Sequence, residues 1–432
     1  MRRKARRGGG RQVELTVEQL GARGDGVAHI DEQAVFLPIT LPGDRVVARI
    51  SGERAGGLKA EVVELLELGP NRVEAPCPHF GPCGGCTVQH LDPAAPYSDW
   101  KRGLVVQALQ HRGFDAGLVR PLRRIEPGSR RRMSLTVLMQ GKKALLGFNG
   151  RESHMVVDLQ TCLLVTPRLR ALLAPLRAAL AERLAPRERA EVVATETGTG
   201  LDVLITCAAR LDLQAREAWA AFAEAEDLAR LSWRHPEEES EPLAVRRAPK
   251  VTFAGVAVEP VAGGFLQPSV AGEQLLTELV MGLIPGDVDT VADLFCGCGT
   301  FTFPLARVAR VHAVESDARA LAALWAGARR GDFANRITVE QRDLTRQPVQ
   351  ADELDGGDCV VFDPPRAGAR DQVIELAGSS IPTIVAVSCN PNTFGRDARI
   401  LVEGGYELTE VTPVDQFPWS GHVELVAGFK RR

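Results

Sequence analysis

Cys389 ends an apolar, β-branched run in "VAVSCNPNTFGRD" (385–397), where a predicted strand gives way at once to Asn390 and Pro391. An isolated buried thiol is usually a packing residue, but this one has unusual company. "VVFDPPRAG" (360–368) closes another predicted strand with Asp363, two prolines and Arg366. Tandem prolines stiffen the turn and remove backbone donors, so the carboxylate is held in one direction, which suits recognition of a base edge carrying an N–H donor. "GHVELV" (421–426) puts Glu424 on the last predicted strand.

This combination points to a narrow chemistry. Methyl transfer to oxygen or nitrogen needs no cysteine. Transfer to C5 of a pyrimidine does, because that carbon is barely nucleophilic. A thiolate added to C6 makes an enolate whose C5 can attack a methyl sulfonium, which is covalent catalysis of an otherwise slow step. The C5 proton must then leave to a general base before the enzyme is released. Cys389 is placed to be the nucleophile and Glu424 to be the base.

A nucleotide-binding half lies upstream. "DLFCGCGTF" (293–301) is a predicted strand running into a Gly-rich turn and a helix, which brings backbone and free N–H groups close to a ligand. Glu315 ends the next strand in "AVESD" and can accept from ribose hydroxyls. Asp343, in "EQRDL", ends a third strand on the expected adenine side. Phe301 and Thr302 follow where NAD would prefer a full G-x-G-x-x-G, so S-adenosylmethionine fits better than NAD.

These residues need a scaffold. From about residue 252, hydrophobic strands alternate with Ala-rich helices ("TVADLF", "RVHAVES", "RITVEQR", "DCVVFD", "TIVAVSC", "HVELVAGF"), predicting an α/β, mostly parallel, doubly wound Rossmann-like sheet over 252–432. Such sheets bind ligands beyond the carboxyl ends of their strands. Residues 12–68 alternate apolar and polar with turn glycines, predicting a small OB-like antiparallel barrel of four or five strands. Residues 69–251 form a central α+β region. It opens with a Cys/Pro/Gly-rich stretch (76–86), followed by a helix near 95–114 that can pack on the catalytic domain. A further helix is expected over 168–190, and the acidic stretch 234–249 reads as a linker or surface loop.

Composition is that of a globular chain: 45% hydrophobic, 25% charged, with no apolar run long enough to span a membrane. The basic N-terminus lacks an apolar core, so it is no secretory signal, and a cytoplasmic protein is expected. Nine cysteines then argue for thiols, metal ligands or catalysis rather than disulfides. Net charge is −3, yet the first eleven residues carry six Arg/Lys, and Arg120–Lys143 carries eight against the single Glu126. Segregated basic stretches of this kind are the footprint of a polyanion partner. No stable protein partner is implied.

Taken together, "FLQPS" (265–269), "DLFCGCGTF", "VESD", "FDPPRAG", "SCNPNTFGRD" and "GHVEL" closely resemble the S-adenosylmethionine-dependent RNA (uracil-5-)-methyltransferases. The resemblance implies a class I methyltransferase domain and gives Cys389 the nucleophile's role and Glu424 the base's. It maps cofactor positions onto Gln267, Phe295, Thr300, Glu315, Asp343 and Asp363, with Gln267 and Asp363 also where the family holds the flipped uracil. Thr300, Cys298 and Ser269 depart from the asparagines usual in the family. Residues 20–46 look like a TRAM domain, an RNA-binding barrel. "CPHFGPCGGC" with the distant "DLQTC" aligns Cys77, Cys83, Cys86 and Cys162 with a set that in this family holds a [4Fe–4S] cluster, with structural zinc as the alternative. Cys207, Cys296, Cys298 and Cys359 are left as packing residues.

The barrel and cysteine set resemble enzymes acting on large-subunit ribosomal RNA more than the short tRNA-specific relatives, although some cluster-bearing relatives act on tRNA. The basic stretch around Arg130–Arg132 and the barrel are the expected RNA-backbone contacts. An RNA cytosine C5-methyltransferase shares the thiolate logic but usually carries Pro-Cys where this chain has "DPPR". A non-catalytic RNA-binding factor would not need Cys389 and Glu424 intact.

Overall fold

The structure, a computed structural model, describes residues 11–432. Of the basic N-terminal stretch only Arg11 is among them; the rest lies outside the described residues. Two compact units emerge, one containing residues up to 103 with 419–422, the other 104–418 with 423–432. No helix among the described residues is long and apolar enough to cross a membrane.

The smaller unit carries a six-stranded barrel-like sheet: Gln12–Thr16, Gln19–Leu20, Gly26–Ile30, Gln33–Leu37, Arg45–Arg54 and Gly57–Glu67. Most neighbours pair antiparallel, but Gln33–Leu37 runs parallel to the last strand. Alternation points Leu15, Val35, Leu37, Val46, Ala48 and Ala60 inward as one core. The fully buried Asp44 carboxylate accepts from the backbone N–H groups of Leu41 (2.6 Å) and Gly69 (2.8 Å) and pairs with Arg72. It thereby ties the barrel to the cysteine-bearing segment that follows. Cys77, Cys83 and Cys86 lie in successive tight turns, where the Cys83 N–H donates to the His79 carbonyl.

In the larger unit, residues 132–245 build a seven-stranded, mainly antiparallel sheet. Its first helix spans Pro167–Arg183, shorter than the predicted 168–190. Pro186 disfavours helical geometry in the residue before it, and a strand starts at Arg189. The acidic stretch 234–249 is likewise not a linker. Glu241–Val245 pairs antiparallel with Leu228–Arg234 as the edge strand, and Glu238 and Glu241 hold Arg210 and Arg216.

The second sheet of this unit positions the chemistry. Its strands are β1 (Thr290–Leu294), β2 (Arg310–Glu315), β3 (Ile337–Gln341), β4 (Cys359–Phe362), β5 (Thr383–Ser388), β6 (Tyr406–Asp415) and β7 (Glu424–Arg431). They lie in the order 3-2-1-4-5-7-6, with Arg123–Arg124 added beside β6. Five central strands run parallel, and β7 inserts antiparallel between β5 and β6. Both faces are apolar because helices cover both. Val291, Val361 and Val385 pack on one side with helix α1 (Val270–Leu283), whereas Leu294, Val360 and Ala386 pack on the other. Val105 and Leu109, from the helix Ala95–Gln110, belong to that second core.

Candidate active site

The carboxyl ends of β1, β4 and β5 and the start of β7 converge, and the residues singled out by motif sit there. Ladder register explains the meeting. Ser388 pairs with Leu425 across the β5–β7 ladder, so the next step sets Cys389 against Glu424. Phe362 pairs with Leu294 and Ala386 on either side, so Asp363 leaves the sheet between β1 and β5. The turn after Asp363 is stapled to helix α2 (Pro391–Glu403): Asn390 Nδ2 and Thr393 Oγ1 donate to the Arg366 carbonyl at 3.0 and 3.3 Å, and Arg396 donates to the Ala367 carbonyl.

Electrostatics at this edge are dominated by crowded acids. Glu424 is only 4% exposed; burial first, and the charge of Asp363 second, push its carboxyl well above the usual range. Asp363 is raised too, mainly by burial, against a lowering hydrogen bond from Gln267. Burial, with Glu424 and Asp363 adding and Arg366 opposing, pushes the half-buried Cys389 thiol up to about 11. Behind them Asp293, 1% exposed at the end of β1, is raised to about 7 by burial, although the Thr302 hydroxyl donates to it at 2.6 Å.

Gln267 precedes α1 and is buried. Its Nε2 donates to Asp363 Oδ2 at 3.1 Å, and its Oε1 accepts from Gln416 Nε2 at 3.0 Å. The Gly-rich turn after β1 needs left-handed backbone at Phe295 (φ 61°), Gly297 (φ 56°) and Gly299 (φ 105°). A Cβ on Gly299 would also collide with the Phe303 ring. Glu315 grips this turn: Oε2 accepts from the Gly297 N–H at 3.1 Å, while Oε1 accepts from the N–H groups of Ser316 and Asp317.

The structure thus gathers Gln267, Phe295, Asp363, Cys389 and Glu424 along one sheet edge, with Glu315 at the end of β2 against the Gly-rich turn. Asp343 caps its own loop, accepting from Thr345 at 2.6 Å. Thr300 faces a groove of about 1270 Å³ that Arg131, Glu273, Lys250 and Arg307 also line. Cys296, Cys298 and Cys359 are buried with thiols raised by desolvation, as packing residues should be. Arg131 corrects the expectation of a basic RNA-facing stretch at 130–132. It is 4% exposed and pairs with the buried Glu273, because its Nε is needed at the Gln267 carbonyl, 3.0 Å away.

Cys77, Cys83 and Cys86 lie in the smaller unit and Cys162 in the larger. Among the described residues no group of three or more His, Cys, Asp and Glu side chains comes together as a metal site. Gln416, whose amide holds Gln267, escaped motif reading; Phe265 opens the motif "FLQPS" but was given no role there, and it is 71% exposed two residues before Gln267. An exposed phenyl ring beside a binding residue is a signal only once exposure is known.

Comparison with known proteins settles the family. The tRNA (uracil-5-)-methyltransferase family matches residues 246–431, and the TRAM domain matches residues 6–63. An uncharacterised RNA methyltransferase of Rhizobium meliloti is 43% identical over 423 residues, covering 96% of this chain and 99% of its own. The 23S rRNA (uracil(1939)-C(5))-methyltransferase RlmD of Acidithiobacillus ferrooxidans is 32% identical over 437 residues, covering 97% of each. The chain belongs to the RNA (uracil-5-)-methyltransferase family. As a TRAM-containing RNA (uracil-5-)-methyltransferase it shares its fold with the Pyrococcus abyssi tRNA (uracil-54, C5)-methyltransferase, solved with S-adenosyl-L-homocysteine. The TM-score is 0.74 at 22% identity, over 96% of this chain and all of that one. The methyltransferase's 3-2-1-4-5-7-6 sheet is therefore a class I methyltransferase sheet preceded by a TRAM domain.

Proposed function

We propose that this enzyme methylates C5 of a uridine in 23S ribosomal RNA, using S-adenosylmethionine, with Cys389 as nucleophile and Glu424 as base. The observation that carries the reading is the register that sets Cys389 against Glu424 beside the Gln267–Asp363 pair. The cofactor suits the site on charge: burial pushes Asp363 and Glu424 toward their neutral forms, the Asp363 charge adding to the effect on Glu424, and a sulfonium is a fitting counter-charge. When bound it supplies an electrophilic methyl group. Gln267, Phe295, Thr300, Glu315, Asp343 and Asp363 are the residues proposed to hold it.

The chain's own residues carry the rest. Asp363 and Gln267 orient the pyrimidine, which must first leave its stack at a cost of a few kcal/mol. The exposed Phe265 ring offers a stacking surface for a neighbouring base. Addition of the Cys389 thiolate to C6 drives the C5–C6 electron pair toward C5, which would take the methyl group as its bond to the sulfonium sulfur breaks, that electron pair staying on sulfur as a neutral thioether. Glu424 then takes the C5 proton; the electrons of that bond restore C5–C6 and expel the thiolate. Raised proton affinity makes ionised Glu424 a stronger base for this step.

Ribosomal RNA is favoured by the full-length likeness to RlmD. Cys77, Cys83, Cys86 and Cys162 are proposed to hold a [4Fe–4S] cluster, with zinc as the alternative. The donors fit chemically: Cys83 and Cys162 are buried, and the Gly85 N–H points at Cys83 Sγ at 3.4 Å, as expected for a thiolate that needs stabilisation. Mapping 5-methyluridine in total RNA from a strain lacking this protein tests the substrate. Loss at one 23S site is expected, and loss confined to tRNA would redirect the assignment.

A further inference from the structure

Gln416 lies just past the end of β6 and is 3% exposed. The Gln267 Nε2 group faces and donates to Asp363 Oδ2, the arrangement that an ionised carboxylate, which can only accept, requires. The carbonyl end then faces Gln416, which must donate to it. The Gln267 backbone is held separately, by Arg131 Nε on its carbonyl and the Arg131 N–H on the Pro268 carbonyl at 2.8 Å. The side-chain amide is left to Asp363 at its NH2 end and to Gln416 at its carbonyl end.

Room for Gln416 comes from Gly272, in the first turn of α1. A Cβ there would overlap the Gln416 side-chain oxygen and Cδ. Glycine is a poor helix residue, and Gly272 has no positive φ to justify it, so space accounts for it. Gln416 Oε1 finds no hydrogen-bond partner among the described residues. A buried unsatisfied carbonyl is unfavourable, so packing alone would favour an apolar side chain here. An apolar side chain, however, has no donor for Gln267.

We propose that Gln416 is a positioning residue that fixes the amide orientation of Gln267, and with it the donor–acceptor pattern offered to the target pyrimidine. The inference rests on the uridine-methylation reading. With Gln267 so held, its second N–H is available to the uracil C4 carbonyl while Asp363 accepts from N3–H. Cytosine reverses both groups. Released from Gln416, the Gln267 carbonyl loses its donor, and the amide, tethered by Asp363 alone, can swing away from this position, so that discrimination weakens.

The test uses full-length enzyme, labelled S-adenosylmethionine and total RNA from a strain lacking the protein, with nucleoside analysis of the product. Gln416→Leu and, by displacing the side chain, Gly272→Ala should each lower kcat/KM for RNA about tenfold and raise the ratio of 5-methylcytidine to 5-methyluridine. Gln416→Glu adds a readout that mere packing would not move, because a carboxyl donates only when protonated. That carboxyl faces Asp363 through Gln267, with Glu273, Asp415 and Glu424 as further acids, and with Arg131 on Glu273, Arg124 opposite Asp415 and Arg130 over the Phe417 ring as the cations around it. Its activity relative to wild type should rise as pH falls from about 8.5 to about 6. Gln416→Leu within twofold of wild type, or a Gln416→Glu ratio flat with pH, overturns the inference alone. Wild-type enzyme that forms no 5-methyluridine overturns the reading beneath it as well.

Discussion

Cys389 and Glu424 occupy facing positions where the β5–β7 ladder ends, one step beyond the Ser388–Leu425 pair. Because β7 enters antiparallel, the end of one strand meets the beginning of the other, so a thiol and a carboxylate distant in sequence share one edge. Had β7 run parallel, Glu424 would lie at the opposite side of the sheet.

That relationship separates the roles proposed for the two residues. In Glu424→Gln the thiol can still add and C5 can still be methylated, but the C5 proton has no acceptor. A methylated, covalently trapped RNA–protein adduct should accumulate, visible as a slow band on denaturing gels. A variant that turns over freely, or that forms no adduct, would contradict the base assignment.

Burial, and after it the acids around Cys389, should also govern its reactivity in the free enzyme. With the thiol raised to about 11, thiolate is scarce at neutral pH and grows as pH rises. Iodoacetamide labelling of Cys389, followed by peptide mass spectrometry, should therefore accelerate steadily through alkaline pH. A rate already level by about pH 8 would contradict the burial of this thiol beside Glu424 and Asp363.

Asp293 makes stability depend on pH in a definite direction. Its carboxyl is raised from 3.8 to about 7 in the folded protein, so the folded state holds the proton more tightly than the unfolded. The associated stability is complete below about pH 4 and is lost as pH rises through about 7, on the order of a few kcal/mol. Asp293→Asn has no proton to lose and can keep the bond from Thr302. Its melting temperature should exceed that of wild type near pH 8 and lose this advantage near pH 5. The reverse ranking would mean that Asp293 is ionised at no cost.

Anaerobically purified enzyme should be brown, with about four iron atoms per chain. A colourless protein rich in zinc would replace the cluster with the alternative metal.

Much of this was legible in the sequence because strand ends and motifs coincide. Asp293, Asp363 and Cys389 each follow a β-branched run, and a doubly wound sheet sends such ends to one edge. Gln416 was not legible, since its role depends on a long-range meeting with Gln267 and on the space left by Gly272. Arg131 misled, because a run of arginines looks the same whether a member faces solvent or pairs with a buried Glu273. The acidic stretch misled for a related reason: Glu238 and Glu241 sit around an edge strand whose pairing no local signal announces.

The most direct measurement is single-turnover methylation by Cys389→Ala with labelled S-adenosylmethionine, beside RNA affinity measured by filter binding. Abolished transfer with RNA affinity nearly intact is the predicted result. Transfer that persists above about a tenth of the wild-type rate would mean that the pyrimidine is activated without this thiol.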